Sequence, residues 1–180
     1  QAGARWKEVL QFLAPFGLSV EVMQSNADFS IGGTLSVNAH GWQPDRPPVS
    51  STVEKITLMN ASGELLTCSR SENIQMFKHA IGGYGLFGII LEAWIRPVPN
   101  EILRSTHQIV TCENFNSQWN KIKEGPIRLA FGRLSVAPET FFQQVLLTSY
   151  QTTGEISKLP AEYAPTPKTS LARAIFRASL

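Results

Sequence analysis

Ser30-Ile31-Gly32-Gly33-Thr34-Leu35-Ser36-Val37-Asn38-Ala39-His40-Gly41 is the stretch on which the reading of this sequence turns. Gly32 and Gly33 free two adjacent amides to meet a phosphate or a flat ring, because no Cβ stands in the way. Thr34, Ser36 and Asn38 alternate, so an extended segment would line hydroxyl and amide groups along one face. His40 closes the row, and Gly41 lets the chain turn away. Plainer readings stand beside these: an ordinary polar strand face for the Ser/Thr row, and a satisfied structural histidine for His40.

A second glycine cluster lies downstream. Gly83-Tyr84-Gly85-Leu86-Phe87-Gly88 spells GxGxxG. A dinucleotide-binding Rossmann turn would follow a strand and open a helix, whose N-terminus receives the pyrophosphate. Here a helix-like segment precedes the glycines and the apolar run Ile89 to Arg96 follows, which argues against a nicotinamide-binding Rossmann unit. So many glycines need a reason, and either close approach of a ligand or a tight helix-to-strand turn supplies one.

Outward from these motifs the chain reads as a mixture of helices and hairpins. Trp6, Val9, Leu10 and Leu13 repeat at helical spacing within Ala4 to Pro15, and Gly17 sits where a C-cap glycine belongs. Leu18 to Met23 reads as a strand, Gln24 to Gly33 as a loop, and Trp42 to Ser51, with three prolines, as an irregular excursion. Thr52 to Met59 and Glu64 to Ser69 flank Asn60-Ala61-Ser62-Gly63 as a hairpin. Ser71 is the expected N-cap of a helix through His79. Pro97 and Pro99 stop the strand that begins at Ile89. Beyond them, Ile102 to Thr111, Ile127 to Val136 and Val145 to Gln151 read as strands and Phe115 to Lys123 as a helix. Pro160 to Pro167 reads as a linker and Ala172 to Leu180 as a helix.

The class is α+β. The boundaries predicted are 1–99, 100–159 and 160–180, the last holding the linker and terminal helix.

Composition narrows the function. The chain has 180 residues, 43% hydrophobic and 17% charged, with 16 Lys and Arg against 14 Asp and Glu. A net charge of +2 excludes a strongly basic nucleic-acid footprint, so no nucleic-acid partner is expected. Glu92 interrupts the longest apolar run, so no transmembrane segment is expected, and a soluble, cytoplasmic setting fits. Cys68 and Cys112 show no ligand spacing and read as two buried thiols; no metal site is expected.

Together, the two motifs resemble the flavin-contacting landmarks of the vanillyl-alcohol oxidase/p-cresol methylhydroxylase family, the PCMH-type FAD-linked oxidoreductases. Ser30 to Gly41 matches the first landmark and Phe77 to Ile90 the second. Val53 to Gly63 resembles the intervening strand and hairpin, and the resemblance runs from Ala4 to Asn100. It implies the second subdomain of a PCMH-type FAD-binding domain, followed by part of a mixed β-sheet and helix substrate domain. It also implies FAD as cofactor. Ser30, Ile31, Gly32 and Gly33 would wrap the pyrophosphate and ribose, and Thr34 and Ser36 are also expected to contact the cofactor. Val37, Asn38, Ala39, His40 and Gly41 would lie along the flavin, with Gly83, Gly85, Gly88, Ile89 and Ile90 meeting it from the second landmark.

The family's first FAD subdomain would precede Ala4 and its C-terminal part would follow, so the chain is expected to be the middle of a longer enzyme. Alone it would bind FAD weakly or not at all and would be inactive. The faces so bared would drive self-association. The implied reaction is hydride transfer from a substrate C–H beside oxygen or nitrogen to flavin N5, with a sugar alcohol or lactone as substrate. The resemblance does not fix the electron acceptor. No catalytic residue is assigned; His40 is expected to position cofactor or substrate. Arg128, Arg133, Tyr150 and His107 are substrate-side candidates, with Arg133 on the face of Ile127, Leu129 and Phe131. A non-catalytic binding module on the same fold is the alternative.

Overall fold

The N-terminal half is knitted around one buried tryptophan. In a computed structural model, which describes residues 1–156, α1 (Trp6–Leu13) opens the chain and Trp6 is fully buried beneath it. Glu8, three residues past the cap, accepts the Arg5 amide at 2.8 Å, tying the first turn. The helix tightens into a 3-10 turn at Ala14–Phe16, and Gly17, at φ 68°, ends it as expected. The strand that follows is shorter than predicted: β1 spans Leu18–Val20.

Here the sequence reading of the first motif is corrected. Ile31–Ser36 is a helix, α2, not an extended segment, so the predicted loop to Gly33 ends early and the alternation of Thr34, Ser36 and Asn38 has no strand to act on. Ser30 caps it, its hydroxyl accepting the Gly33 amide at 3.2 Å. Helical spacing turns Thr34 inward, where it is 1% exposed and takes the Trp6 indole N–H at 2.9 Å. A buried indole donor needs an acceptor, and this requirement outweighs the weak helix propensity of Gly32 and Gly33.

The hairpin was placed correctly. β2 (Val53–Met59) and β3 (Leu65–Ser69) pair in antiparallel register, Leu58 opposite Leu66. Asn60 Oδ1 accepts the Ser62 and Glu64 amides at 3.1 and 3.0 Å, holding the turn, and Gly63 supplies φ 82°. α3 (Ile74–Ala80) is capped at Asn73, in the left-handed region at φ 45°, not at Ser71. Ser71 instead gives its amide to the Ser69 hydroxyl at 3.2 Å.

β4 (Ile89–Ile95) completes a sheet in the order β3-β2-β4. It follows Gly88 directly, and the absence of a helix there removes the Rossmann reading. The prolines stop β4 but then form a short strand of their own, β5 (Pro97–Pro99), against β1. Val22, Leu35, Val49, Val53, Ile56 and Leu58 fill the core between α1, α2 and this sheet, at most 1% exposed.

The remaining strands make a separate antiparallel sheet. β6 (Glu101–Thr111), β7 (Ile127–Leu134) and β8 (Gln144–Ile156) lie in the order β6-β8-β7, with α4 (Cys112–Lys123) between β6 and β7 in the chain. α4 covers one face. A Cβ on Gly132 would stand 2.8 Å from both the Phe115 ring and the Val145 side chain. The opposite face meets the N-terminal half, where the Trp42 ring packs tilted against that of Phe131 at 4.2 Å and the Trp42 carbonyl takes the Ala130 amide at 2.8 Å.

Both cysteines are free, but only Cys68 is buried; Cys112, at the first turn of α4, is exposed. The predicted linker at Pro160 to Pro167 and helix at Ala172 to Leu180 lie outside the described residues. Among the described residues no helix is long and apolar enough to cross a membrane.

Candidate functional site

The structure joins the two glycine motifs at the end of α2. The Asn38 amide bonds to Leu35 O at 3.0 Å and the Ala39 amide to Thr34 O at 3.1 Å, a Schellman ending with Asn38 at φ 45°. The second motif completes the cap. Gly82 N–H donates to Leu35 O and Tyr84 N–H to Ser36 O, each at 2.9 Å. A Cβ on Gly82 would stand 3.2 Å from the Asn38 side chain. The Asn38 side-chain Oδ1 accepts the Ser50 amide at 3.2 Å, anchoring the proline-rich excursion to the same corner.

The glycines of the second motif serve close packing. An added Cβ on Gly88 would meet Met59 O at 2.5 Å, and one on Gly83 would strike the His79 carbonyl. Gly85, at φ 78°, instead faces open space. Tyr84 holds φ 53° without being glycine, and it is 74% exposed. Around it Leu86, Phe87, Ile89 and Val37 are also exposed, so the joined motifs carry an apolar rim. Ile90, by contrast, is buried, opposite Leu58.

The expectation for Gly32 and Gly33 is corrected. Their amides are occupied, Gly32 by Ala2 O at 2.8 Å and Gly33 by the Ser30 hydroxyl. Ile31 N–H is taken by Ala4 O at 2.9 Å. Gly32 is needed because a Cβ there would stand 3.0 Å from that of Ala2. The segment's uncommitted donors lie further on: among the described residues, the backbone amides of His40, Gly41 and Trp42 meet no acceptor, nor does that of Gly85. His40 is exposed and its Nδ1 lies 3.0 Å from Gly41 O. These free amides beside an apolar rim fit a flat, acceptor-rich ring such as a flavin.

Of the substrate-side candidates, three share a face and one is engaged. In register, Arg133 stands across from Leu146, Phe131 from Thr148 and Leu129 from Tyr150; Thr148 in turn opposes His107. His107 Nδ1 and Thr148 Oγ1 are 3.1 Å apart, and Arg133 lies over the Phe131 ring at 5.0 Å. A register break at Arg128 pairs Ile127 with Gln151, so Ile127 leaves the face predicted for it. Arg128 is held by Glu101 in a two-pronged contact at 2.8 and 2.9 Å. The guanidinium holds the Glu101 carboxyl below its ordinary value, with Thr152 assisting, and the Arg128 pKa rises in turn.

Sequence reasoning missed the cleft between the two halves. It is about 740 Å³ in volume and is lined by Gln24, Trp42, Gln43, Asn100 and Leu129 among others. Its wall begins where the first motif ends, since a Cβ on Gly41 would overlap the Gln43 side chain and lie 2.6 Å from Met23 O. The glycine followed by tryptophan at 41–42 was the only signal. The pairing of Gln43 with Glu21 O across the intervening chain has no local signature.

The comparisons with known proteins agree with the motifs. Residues 1–69 match a family model described as an FAD binding domain. D-arabinono-1,4-lactone oxidase of Yarrowia lipolytica is 35% identical over 122 residues, 68% of this chain and 23% of that protein. The enzyme of the same name from Saccharomyces cerevisiae is 33% identical over 121 residues, 67% of this chain and 23% of that protein. Cytokinin dehydrogenase 2 of Arabidopsis thaliana is 39% identical over 95 residues, 52% of this chain and 19% of that protein. The chain therefore carries part of an FAD binding domain and is similar to the PCMH-type FAD-linked oxidoreductases, and its cofactor is FAD. It spans less than a quarter of the length of the two lactone oxidases, 23% of each.

Proposed function

We propose that this chain is the part of an FAD-dependent oxidoreductase that holds one side of the flavin and opens onto the substrate. Bound FAD supplies a two-electron acceptor for a hydride from a C–H beside oxygen or nitrogen. The protein's contribution is binding, orientation and exclusion of water. Residues 1–99 hold the cofactor and residues 100–159 begin the substrate domain. The amides of His40, Gly41 and Trp42 would donate to acceptor atoms of the ring, with the Gly85 amide approaching from the second motif. Tyr84, Leu86 and Ile89 would shield it from solvent. The side chains of Ser30 and Thr34 act one step back: Ser30 caps α2, and Thr34 fixes that helix to Trp6. His40, exposed and beside the free amides, takes a positioning role.

The relatives named as lactone oxidases make a sugar lactone or the corresponding polyol the favoured substrate class. The observation that carries the reading is the cap of α2 by Gly82 and Tyr84, which brings both flavin-type motifs to one corner. FAD titrated into this chain, with the yeast lactone oxidase as positive control, tests it by flavin fluorescence. A weak, saturable change supports it. Binding by a longer chain that restores the upstream subdomain but not by this one agrees with a half-site; binding by neither opposes the reading and favours a non-catalytic binding module.

A further inference from the structure

Among the described residues, four that are not glycine hold a left-handed backbone: Asn38, Asn73, Tyr84 and Phe142. Asparagine tolerates that region, because its short side chain bonds locally. An aromatic side chain does not, so the two aromatic positions need a reason. Phe142 finds one in the fold: its ring stacks on Phe141 at 4.2 Å, and its carbonyl accepts the Cys112 thiol at 3.0 Å. Tyr84 finds none. At φ 53° its ring is 74% exposed, and its neighbour Phe87 stacks on His79 at 5.1 Å instead. The Tyr84 amide caps α2 through Ser36 O at 2.9 Å, but a glycine would supply that amide equally well.

What stands around the ring says what it meets. Val37, Leu86 and Ile89 are all exposed beside it, so the surroundings are apolar. The next amide, that of Gly85, meets no acceptor among the described residues, and neither do those of His40, Gly41 and Trp42 at the same corner. An apolar protein surface laid on this rim would bury those donors unpaired. A planar ring with apolar faces and acceptor atoms along its edge satisfies both, and the flavin of FAD has that chemistry. The phenol is electron-rich and the oxidised flavin electron-poor, which favours stacked contact.

We infer that Tyr84 is a stacking residue for the flavin: its ring lies against one face of the cofactor, and the fold carries a left-handed tyrosine, at a cost in stability, to present it there. The inference rests on the proposed flavin site and deepens it, by naming the side chain that contacts the ring and the backbone conformation that aims it.

The test separates the ring from the backbone. Tyr84→Gly, Tyr84→Asn and Tyr84→Phe are made in this chain and in a longer chain that restores the upstream subdomain. Without FAD, Tyr84→Gly should raise the melting temperature of this chain by about 2–4 °C, because the strain relieved exceeds the freedom glycine adds to the unfolded chain; Tyr84→Phe should stay within about 1 °C of the parent. With FAD, followed by flavin absorbance in the longer chain, Tyr84→Asn and Tyr84→Gly should raise Kd by about tenfold, and Tyr84→Phe by no more than about twofold. A Tyr84→Asn protein that binds FAD as tightly as the parent, or a Tyr84→Phe protein that binds as weakly as Tyr84→Asn, would overturn the inference. So would a Tyr84→Gly chain that melts below the parent, since the ring would then be holding the fold. If Tyr84→Gly stabilises this chain but destabilises the FAD-free longer one, the ring packs on the upstream subdomain and the inference is again overturned. A longer parent chain that binds no FAD removes the flavin reading and this inference together; one that binds, with variants that bind alike, removes this inference alone.

Discussion

Replacing Thr34 with Val tests the link between sequence, helix and core at one atom. Valine keeps the shape and removes the hydroxyl. The Trp6 indole N–H, whose side chain is fully buried, then has no acceptor at its 2.9 Å partner position. An unsatisfied buried donor costs about 1–3 kcal/mol. Taking about 2 kcal/mol and about 2–4 °C per kcal/mol for a chain of this size, the melting temperature should fall by about 4–8 °C. Thr34→Ser, which keeps the hydroxyl, should lose less than half of that. The double variant with Trp6→Phe should be less unstable than the sum of the single variants by about 1 kcal/mol, because the indole has gone with its acceptor. Calorimetry or circular dichroism reads the parent, the three single variants and the double variant. A Thr34→Val protein that melts within about 1 °C of the parent would refute the inward, helical placement of the first motif.

Other expectations follow from single positions. Gly88→Ala places a Cβ 2.5 Å from Met59 O at φ 136° and should cost about 3 kcal/mol or more, whereas Gly85→Ala, facing open space at φ 78°, should cost about 1–2 kcal/mol; equal losses in thermal melts would contradict the packing role of the second motif. A thiol reagent should modify Cys112 in the native protein and Cys68 only on unfolding, since burial both hides Cys68 and raises its pKa; rapid titration of two thiols would oppose this. The Glu101 carboxyl, held low by Arg128, stabilises the fold above the ordinary carboxylate range and loses that contribution as pH falls through its lowered value. With Arg128 half exposed, the advantage over Glu101→Gln at neutral pH should be about 0.5–1 kcal/mol and should vanish in acid; an advantage that grows in acid would reverse the sign.

Much of the fold could be read from local signals. The periodicity of Trp6 to Leu13, the glycine at 17 and the Asn60 to Gly63 turn each specify their element without help from distant residues, and each is found as read. The first motif is different. Ile31–Ser36 contains two glycines and alternating polar residues, which locally suggest an extended loop, but the indole of Trp6 and the carbonyls of Ala2 and Ala4 are what make it a helix. Those partners come from the other end of the segment's own core, and no window of sequence contains them. The residue type of Cys112 suggests burial, whereas its neighbours Thr111, Glu113 and Asn114 are polar and it sits exposed at the start of α4. At the site, the residue types pointed to a flavin surface, yet the donors that remain free are three residues at 40–42 rather than the glycines at 32 and 33. The cleft of Gln24 and Gln43 was not legible, because it is built between two sheets.

The most direct measurement is backbone NMR of the labelled chain during titration with FAD. The account predicts that shifts cluster at Val37 to Trp42 and at Gly83 to Ile89, with the amides of Gly32 and Gly33 little changed. Shifts that spread over other surfaces and leave these two segments unmoved would contradict the claim that the joined motifs form one side of a flavin site.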